Sequence, residues 1–339
     1  MRIYTTVPTG DPRDAGHVFR ELESLGFDGG FSFESKHDPF FPLVIAAGTT
    51  RRLQLGTAVA IGFARNPMVL ANIGYDLQVI SGGRFVLGLG SQIRPHIEKR
   101  FSETWSKPAA RMREMVQAIR AIWDAWEGRS KLDFRGEFYR HTIMIPTFNP
   151  GPNPYGPPRI FLGGFAPRMI ELAGEVADGF LAHPFATRRS LQQIVLPALD
   201  RGLARSGRTR QDFEIVCVTR VVTWTTEQEY EAARASLQEQ IAFDASTPVY
   251  RSVLDCHGWG DLHPELNRLS KQGRWKEMNA LITDDIMREN AVMRPRREVA
   301  SALRKRLAGI SDSVSLVNNR NPDPGHFGDI VADLRSGQA

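Results

Sequence analysis

Strand-like and helix-like segments alternate along nearly the whole chain. That pattern confines it to a parallel sheet whose neighbouring strands are joined by crossover helices. Eight units fit, with strands at about 2–7, 29–34, 53–59, 84–89, 159–162, 178–182, 213–222 and 314–317. The intervening runs carry helix signals. Asp11 and Pro12 open one ahead of Val18, Phe19, Leu22 and Leu25, and Asn66-Pro67 opens another with Leu70, Ile73, Leu77 and Ile80 on one face. From Pro108 a long helix sets Met112, Met115, Ile119, Ile122, Trp123 and Trp126 on a wide apolar face, which reads as core. Thr226 and Glu229 have the spacing of a capping box. Eight such units close a (β/α)8 TIM barrel, and a chain of 339 residues suits one such domain over 1–339. Residues 243–292 exceed what a crossover needs and read as an insertion between strands seven and eight, hanging over the barrel mouth.

The end of the fourth strand is the most suggestive local stretch. In Gly83-Arg84-Phe85-Val86-Leu87-Gly88-Leu89-Gly90-Ser91-Gln92 an apolar strand runs into residues without bulk. Gly88 and Gly90 would let a ligand approach the backbone, with a hydroxyl and an amide beside it; the other reading is a tight strand-to-loop turn. A nicotinamide fingerprint is weaker, because Ile93 stands where the third glycine is needed. The third strand likewise ends in small residues, Gly56-Thr57-Ala58-Val59.

Together with Arg65-Asn66-Pro67, Ser81-Gly82-Gly83-Arg84-Phe85 and Val176-Ala177-Asp178-Gly179, these stretches resemble the luciferase-like monooxygenase superfamily from Met1 to about Leu316. Within it, Glu34-Ser35-Lys36-His37-Asp38-Pro39-Phe40, Phe134 to Tyr139 and His257-Gly258-Trp259-Gly260 resemble a group of deazaflavin (coenzyme F420)-dependent oxidoreductases. The resemblance implies hydride transfer between the deazaflavin C5 and a small organic substrate. A flavin mononucleotide (FMN) monooxygenase is the alternative, since both cofactors use this fold and these glycines. A non-catalytic, cofactor-binding barrel is the third reading. The resemblance further implies a non-proline cis peptide at Ala58-Val59 behind the ring, and the expected assembly is a homodimer. One branch of the superfamily, the sugar-phosphate dehydrogenases, carries a histidine and a glutamate where this chain has Ser35 and Ile93, so that chemistry does not transfer.

In such barrels the active site forms from the loops after the strands, which narrows the polar candidates. Glu34 after strand two is an expected cofactor contact, or else a carboxylate paired with Lys36 or Arg84. His37 and Asp38 form a possible acid/base pair, with a helix cap as the other role for Asp38. Thr57, Ala58 and Val59, then Gly90, Ser91, Gln92 and His96, are the cofactor candidates after strands three and four. Gly164, Phe165 and Ala166 lead into a helix whose first N–H groups suit an anion, and by resemblance the phosphate-bearing tail passes there. His183 follows strand six as a substrate or acid/base group. We expect His37, His96, His183 and the insertion to border one cavity. His141, His257 and Trp259 either line a substrate pocket or pack the insertion.

Bulk properties exclude other classes. The net charge of +5 is small, and basic residues alternate with acids as in Arg111-Met112-Arg113-Glu114, which argues against nucleic-acid binding. Cys217 and Cys256 match no metal-ligand spacing, so no metal is expected. No run approaches a membrane span and the first residues read directly as a strand, so a reduced, cytoplasmic protein is expected.

Overall fold

The computed structural model describes residues 1–7, 11–311, 313–317 and 324–337. Eight strands, β1 (Arg2–Val7), β2 (Gly29–Ser32), β3 (Gln54–Thr57), β4 (Phe85–Gly90), β5 (Arg159–Gly163), β6 (Gly179–Ala182), β7 (Glu214–Val222) and β8 (Ser313–Val317), pair in parallel in chain order. The ring closes where Ser313 of β8 aligns with Arg2 of β1 and with Val216 of β7. The expected TIM barrel is therefore the fold.

Alternation within each strand sorts inside from outside. In β4, Phe85, Leu87 and Leu89 join the cluster packed between strands and helices, whereas Val86 joins the barrel interior with Tyr4, Phe31, Phe161, Leu181 and Val216. Gly88 and Gly90 occupy the same inward register as Val86. On the outside, α1 (Ala15–Ser24), α2 (Phe41–Thr49), α3 (Pro67–Ile80), the short α4 (Arg94–Lys99), α5 (Pro108–Trp126) and α6 (Pro167–Val176) follow the first five strands. Trp123 and Trp126 of α5 are fully buried, as the spacing of that stripe requires.

The bottom of the barrel is sealed by one carboxylate. Glu214 accepts hydrogen bonds from Arg2 (2.7 Å), Tyr4 (2.8 Å), Arg159 (2.8 Å) and Ser313 (2.8 Å), from strands scattered along the whole chain. Burial pushes its pKa up, but these donors outweigh burial and hold it below the usual value.

Between β7 and β8 the chain forms a second apolar cluster. The helix Glu227–Ser246 contributes Leu237, Ile241 and Ala245, and four shorter helices contribute residues such as Val253, Leu266, Met278 and Ile286. The inserted unit thus starts upstream of residue 243, because the helix opened by Thr226 packs with the insertion. It is tied to the barrel by a buried ion pair between Arg220 of β7 and Asp244. The closing loop expected from about Asn318 lies largely outside the described residues, and the helix Gly328–Ser336 follows it.

Candidate functional site

The carboxyl ends of the strands open into a cavity of about 1240 Å³. Its inner end is formed by Ala58, Val59, Gly90, Gly163, Leu181 and Val218, with Glu34, His183 and Tyr250 at the sides. It then runs outward between α5 and α6, past Ala109, Arg113, Arg168, Met169 and Arg205.

The peptide bond Ala58-Val59 is cis, as the resemblance implied. Packing against Val59 and the Thr57 carbonyl explains the glycines better than a ligand does. A Cβ on Gly90 would lie 2.6 Å from Val59 Cγ2, and one on Gly88 would lie 1.7 Å from the Thr57 carbonyl oxygen. The space that these glycines leave is filled by the chain itself. Gly90 still lines the cavity, but its missing side chain is required by barrel packing. Thr57 is part of the same packing: its hydroxyl donates to the Gly88 carbonyl (2.6 Å) and accepts from the Gly88 N–H (3.0 Å). It is buried and does not line the cavity, a correction to its expected contact with the cofactor.

Glu34 does line the cavity, and its partner is neither Lys36 nor Arg84. Arg84 lies before β4, at the far end of the barrel, where it binds the carbonyls of Ala47, Thr50 and Leu53. Arg65 is the partner instead, donating to Glu34 (2.6 Å) and, through its other nitrogen, to Asp38 (2.8 Å). Glu34 also accepts the Ile61 N–H at 2.8 Å. Burial works against the guanidinium charge of Arg65, but the two carboxylates outweigh it and raise its pKa. Asp38 additionally accepts the Phe40 N–H (2.8 Å), a turn in the loop before α2 and not the expected helix cap, because the cap position is Phe40 and α2 starts without a side-chain cap; Asp38 does not line the cavity.

The three histidines do not share the cavity. His183 lines it; His37 and His96 are exposed and do not. In α4, Ile97 is the buried residue, so the helix turn carries His96 outward. His37 sits on the exposed loop after β2, close enough to Asp11 to interact with it electrostatically. His257 and Trp259 also lie off the cavity, stacked on each other at 4.4 Å, with His257 Nε2 2.8 Å from the Thr187 hydroxyl. His141 lies in the short hairpin of Phe134–Arg135 and Arg140–His141, away from the cavity.

Ser91 and Gln92 border the cavity. Gln92 takes a left-handed φ of 60°, and its amide oxygen accepts the Ile93 N–H at 3.0 Å. Gly164, Phe165 and Ala166 also line it; α6 begins without a side-chain cap, its first residue Pro167 has no N–H and Met169 N–H donates to the Ala166 carbonyl (2.8 Å), so of the first turn the Arg168 N–H is the one left for an anion. Beyond them Arg113 is paired with Glu175 and Arg205 with Glu171. Arg168 forms no ion pair among the described residues.

Tyr250, from the inserted unit, escaped the sequence reading. Its hydroxyl lies 3.1 Å from His183 Nε2, and its ring packs on Phe165 at 4.6 Å. No motif marks it, and 67 residues separate it from His183. Burial holds the His183 pKa down to about 4 and raises that of Tyr250, so both are neutral near pH 7. Among the described residues no cluster of His, Cys, Asp or Glu could hold a metal ion, and no helix is long and apolar enough to cross a membrane.

Comparison with known proteins places these features in context. The family described as luciferase-like monooxygenase matches residues 2–311. An uncharacterized protein of Mycobacterium tuberculosis is 55% identical over 293 residues, covering 86% of each chain. A 5,10-methylenetetrahydromethanopterin reductase of Archaeoglobus fulgidus is 29% identical over 284 residues, covering 79% of this chain and 80% of the reductase. Among solved structures, the coenzyme F420 dependent tetrahydromethanopterin reductase of Methanopyrus kandleri superposes with a TM-score of 0.80 over 97% of this chain and 96% of its own, at 18% identity, a likeness of fold.

Proposed function

Since the chain belongs to the luciferase-like monooxygenase family, we propose that it is a coenzyme F420-dependent oxidoreductase acting on a small organic substrate. The observation that carries this reading is the outward course of the cavity. It does not stop at the start of α6 but continues past Arg168 and past the pairs Arg113–Glu175 and Arg205–Glu171. An unpaired Arg168 in that groove suits a ligand whose anionic tail extends beyond its phosphate. A putative coenzyme F420-dependent oxidoreductase of Mycobacterium tuberculosis, 29% identical over 303 residues and covering 83% of this chain, supports the same direction.

In this reading Ala58, Val59, Gly90 and Ser91 border the ring, the Gly164 to Ala166 turn holds the phosphate, and Arg168 meets the tail. The bound deazaflavin supplies a hydride-accepting or hydride-donating carbon. The apolar surface of Leu181, Val218 and Phe165 keeps water from that carbon, and the Glu34–Arg65–Asp38 chain holds the loops after β2 and β3 in register.

Titration of the apo-protein, followed by quenching of each ligand's own fluorescence, tests the assignment. F420 is expected to bind more tightly than FMN by about tenfold or more, and Arg168→Ala to weaken F420 by about fivefold while leaving FMN little changed. Tighter binding of FMN by the same margin would overturn the cofactor assignment. A homodimer is part of the proposal, supported by exposed Phe41, Val44 and Ile45 on α2, and light scattering checks it.

A further inference from the structure

The His183–Tyr250 contact has a direction that the backbone decides. Phe185 N–H donates to His183 Nδ1 at 3.2 Å, and a backbone N–H can only donate. Nδ1 therefore carries the lone pair, and in the neutral ring the proton sits on Nε2. That proton is directed to the Tyr250 oxygen, 3.1 Å away. The phenol oxygen is then an acceptor toward His183, and its own proton is free to be donated elsewhere. The hydroxyl finds no other partner among the described residues, and Tyr250 borders the cavity.

The surroundings narrow what receives that proton. Phe165 and Phe185 pack on the Tyr250 ring at 4.6 and 5.7 Å, and Leu181 and Val218 line the same end of the cavity. The nearest charges acting on the pair, Arg220 and Asp244, are buried and spent on each other. Around this donor the lining is apolar, and Glu34, the carboxylate at this end of the cavity, is taken by Arg65, so the place suits a neutral oxygen acceptor and disfavours a second carboxylate.

Resting on the F420 reading above, we propose that Tyr250 is the proton donor to the oxygen of a neutral ketone or aldehyde, which this protein reduces to the alcohol. Reduced deazaflavin, when bound, would supply the hydride to the carbonyl carbon as the C=O π bond opens, and Tyr250 would give its hydroxyl proton to the carbonyl oxygen. The tyrosinate left behind is held by the Nε2–H of His183 and regains a proton from water. His183 is a positioning residue: it orients the phenol and stabilises the transient anion without itself losing a proton. The raised pKa of Tyr250 suits this direction, since a phenol that resists ionisation is a donor and a poor base.

Two measurements on the full-length protein test the proposal. In protein labelled with 15N-histidine, the His183 ring, identified by its loss in His183→Gln, is expected to show the neutral Nε2–H tautomer from about pH 7.5 down to about pH 5. An Nδ1–H tautomer, or an imidazolium near pH 7, overturns it. Separately, the enzyme loaded with reduced F420 is offered cyclohexanone, benzaldehyde or acetophenone, and recovery of F420 fluorescence is followed. At least one is expected to be reduced, with a solvent deuterium isotope effect on the wild-type rate. Tyr250→Phe is expected to lower kcat/KM by about a hundredfold while the cofactor Kd stays unchanged. Binding of reduced F420 without reduction of any of the three compounds, absence of the isotope effect, or wild-type rates in Tyr250→Phe each overturn the proposal alone. Failure of F420 to bind at all removes the cofactor reading, and the proposal with it.

Discussion

Replacing Gly90 by alanine separates packing from ligand clearance at the end of β4. The new methyl carbon would lie 2.6 Å from Val59 Cγ2 and 3.5 Å from Val59 Cβ. Carbon atoms rest about 3.5 to 4.0 Å apart, so Val59 or the strand end has to move by roughly 1 Å. Overpacking of this kind costs about 1 to 3 kcal/mol, and the smaller entropy of an unfolded alanine returns about 0.4 to 1 kcal/mol. A net loss of about 1 to 2 kcal/mol is expected for Gly90→Ala. Val59→Ala alone removes two half-buried carbons, for a loss of about 1 kcal/mol. In the double variant the clashing Cγ2 is gone and only the 3.5 Å contact with Cβ remains, an ordinary one. Gly90→Ala should then cost almost nothing, and the two losses should fall short of additivity by about 1 kcal/mol or more. Urea unfolding of the four proteins, followed by tryptophan fluorescence and circular dichroism, measures this cycle. Additivity within about 0.5 kcal/mol would refute the packing argument. So would a Gly90→Ala protein of wild-type stability that binds F420 poorly, the signature of a glycine kept small for the ligand.

Three further expectations concern ion pairs. Because the Glu214 pKa is depressed in the folded chain, its stabilisation is present above the ordinary value of 4.5 and is lost as pH falls through the folded value; Glu214→Gln should be less stable by about 2 kcal/mol at pH 7, with a shallower loss of stability below about pH 4.5 than the wild type, as urea unfolding at several pH values will report. Arg65→Lys keeps the charge but loses the fork that joins Glu34 to Asp38, so thermal unfolding should show a loss of about 1 to 2 kcal/mol, and a variant with unchanged stability would discount the bridge. Asp244→Ala leaves Arg220 buried without its counter-ion, for a loss of about 3 to 5 kcal/mol, and should speed proteolysis within residues 243–292; a wild-type cleavage rate would show that the pair does not fasten the insertion.

How much of this was legible in the chain follows from the range of each interaction. Strands and helices were readable because alternation and caps are local: the stripe from Met112 to Trp126 declares its buried face within a few turns, and Asn66-Pro67 starts α3 wherever the helix ends up. The eight-unit order, and with it the position of the site at the strand ends, came from the same local signals. Within a short loop or helix they fail. His96 and Ile97 are neighbours, and which of them faces inward depends on how α4 lies against the barrel.

The glycines show the same division at a longer range. Their positions after Val86 were plain in the sequence, but their reason was not, since Val59 and the Thr57 carbonyl reach Gly90 and Gly88 across a neighbouring strand. The Glu34 partner, Arg65, had to be chosen among several cations, and the chain alone does not say that Arg84 lies at the opposite end of the barrel. By itself the sequence determined the periodic elements, their order and hence the barrel. Only tertiary structure decided which polar groups meet, joining Glu214 to donors at 2, 4, 159 and 313 and Tyr250 to His183, because barrel closure and the inserted unit bring together residues whose local sequence holds no trace of their partners.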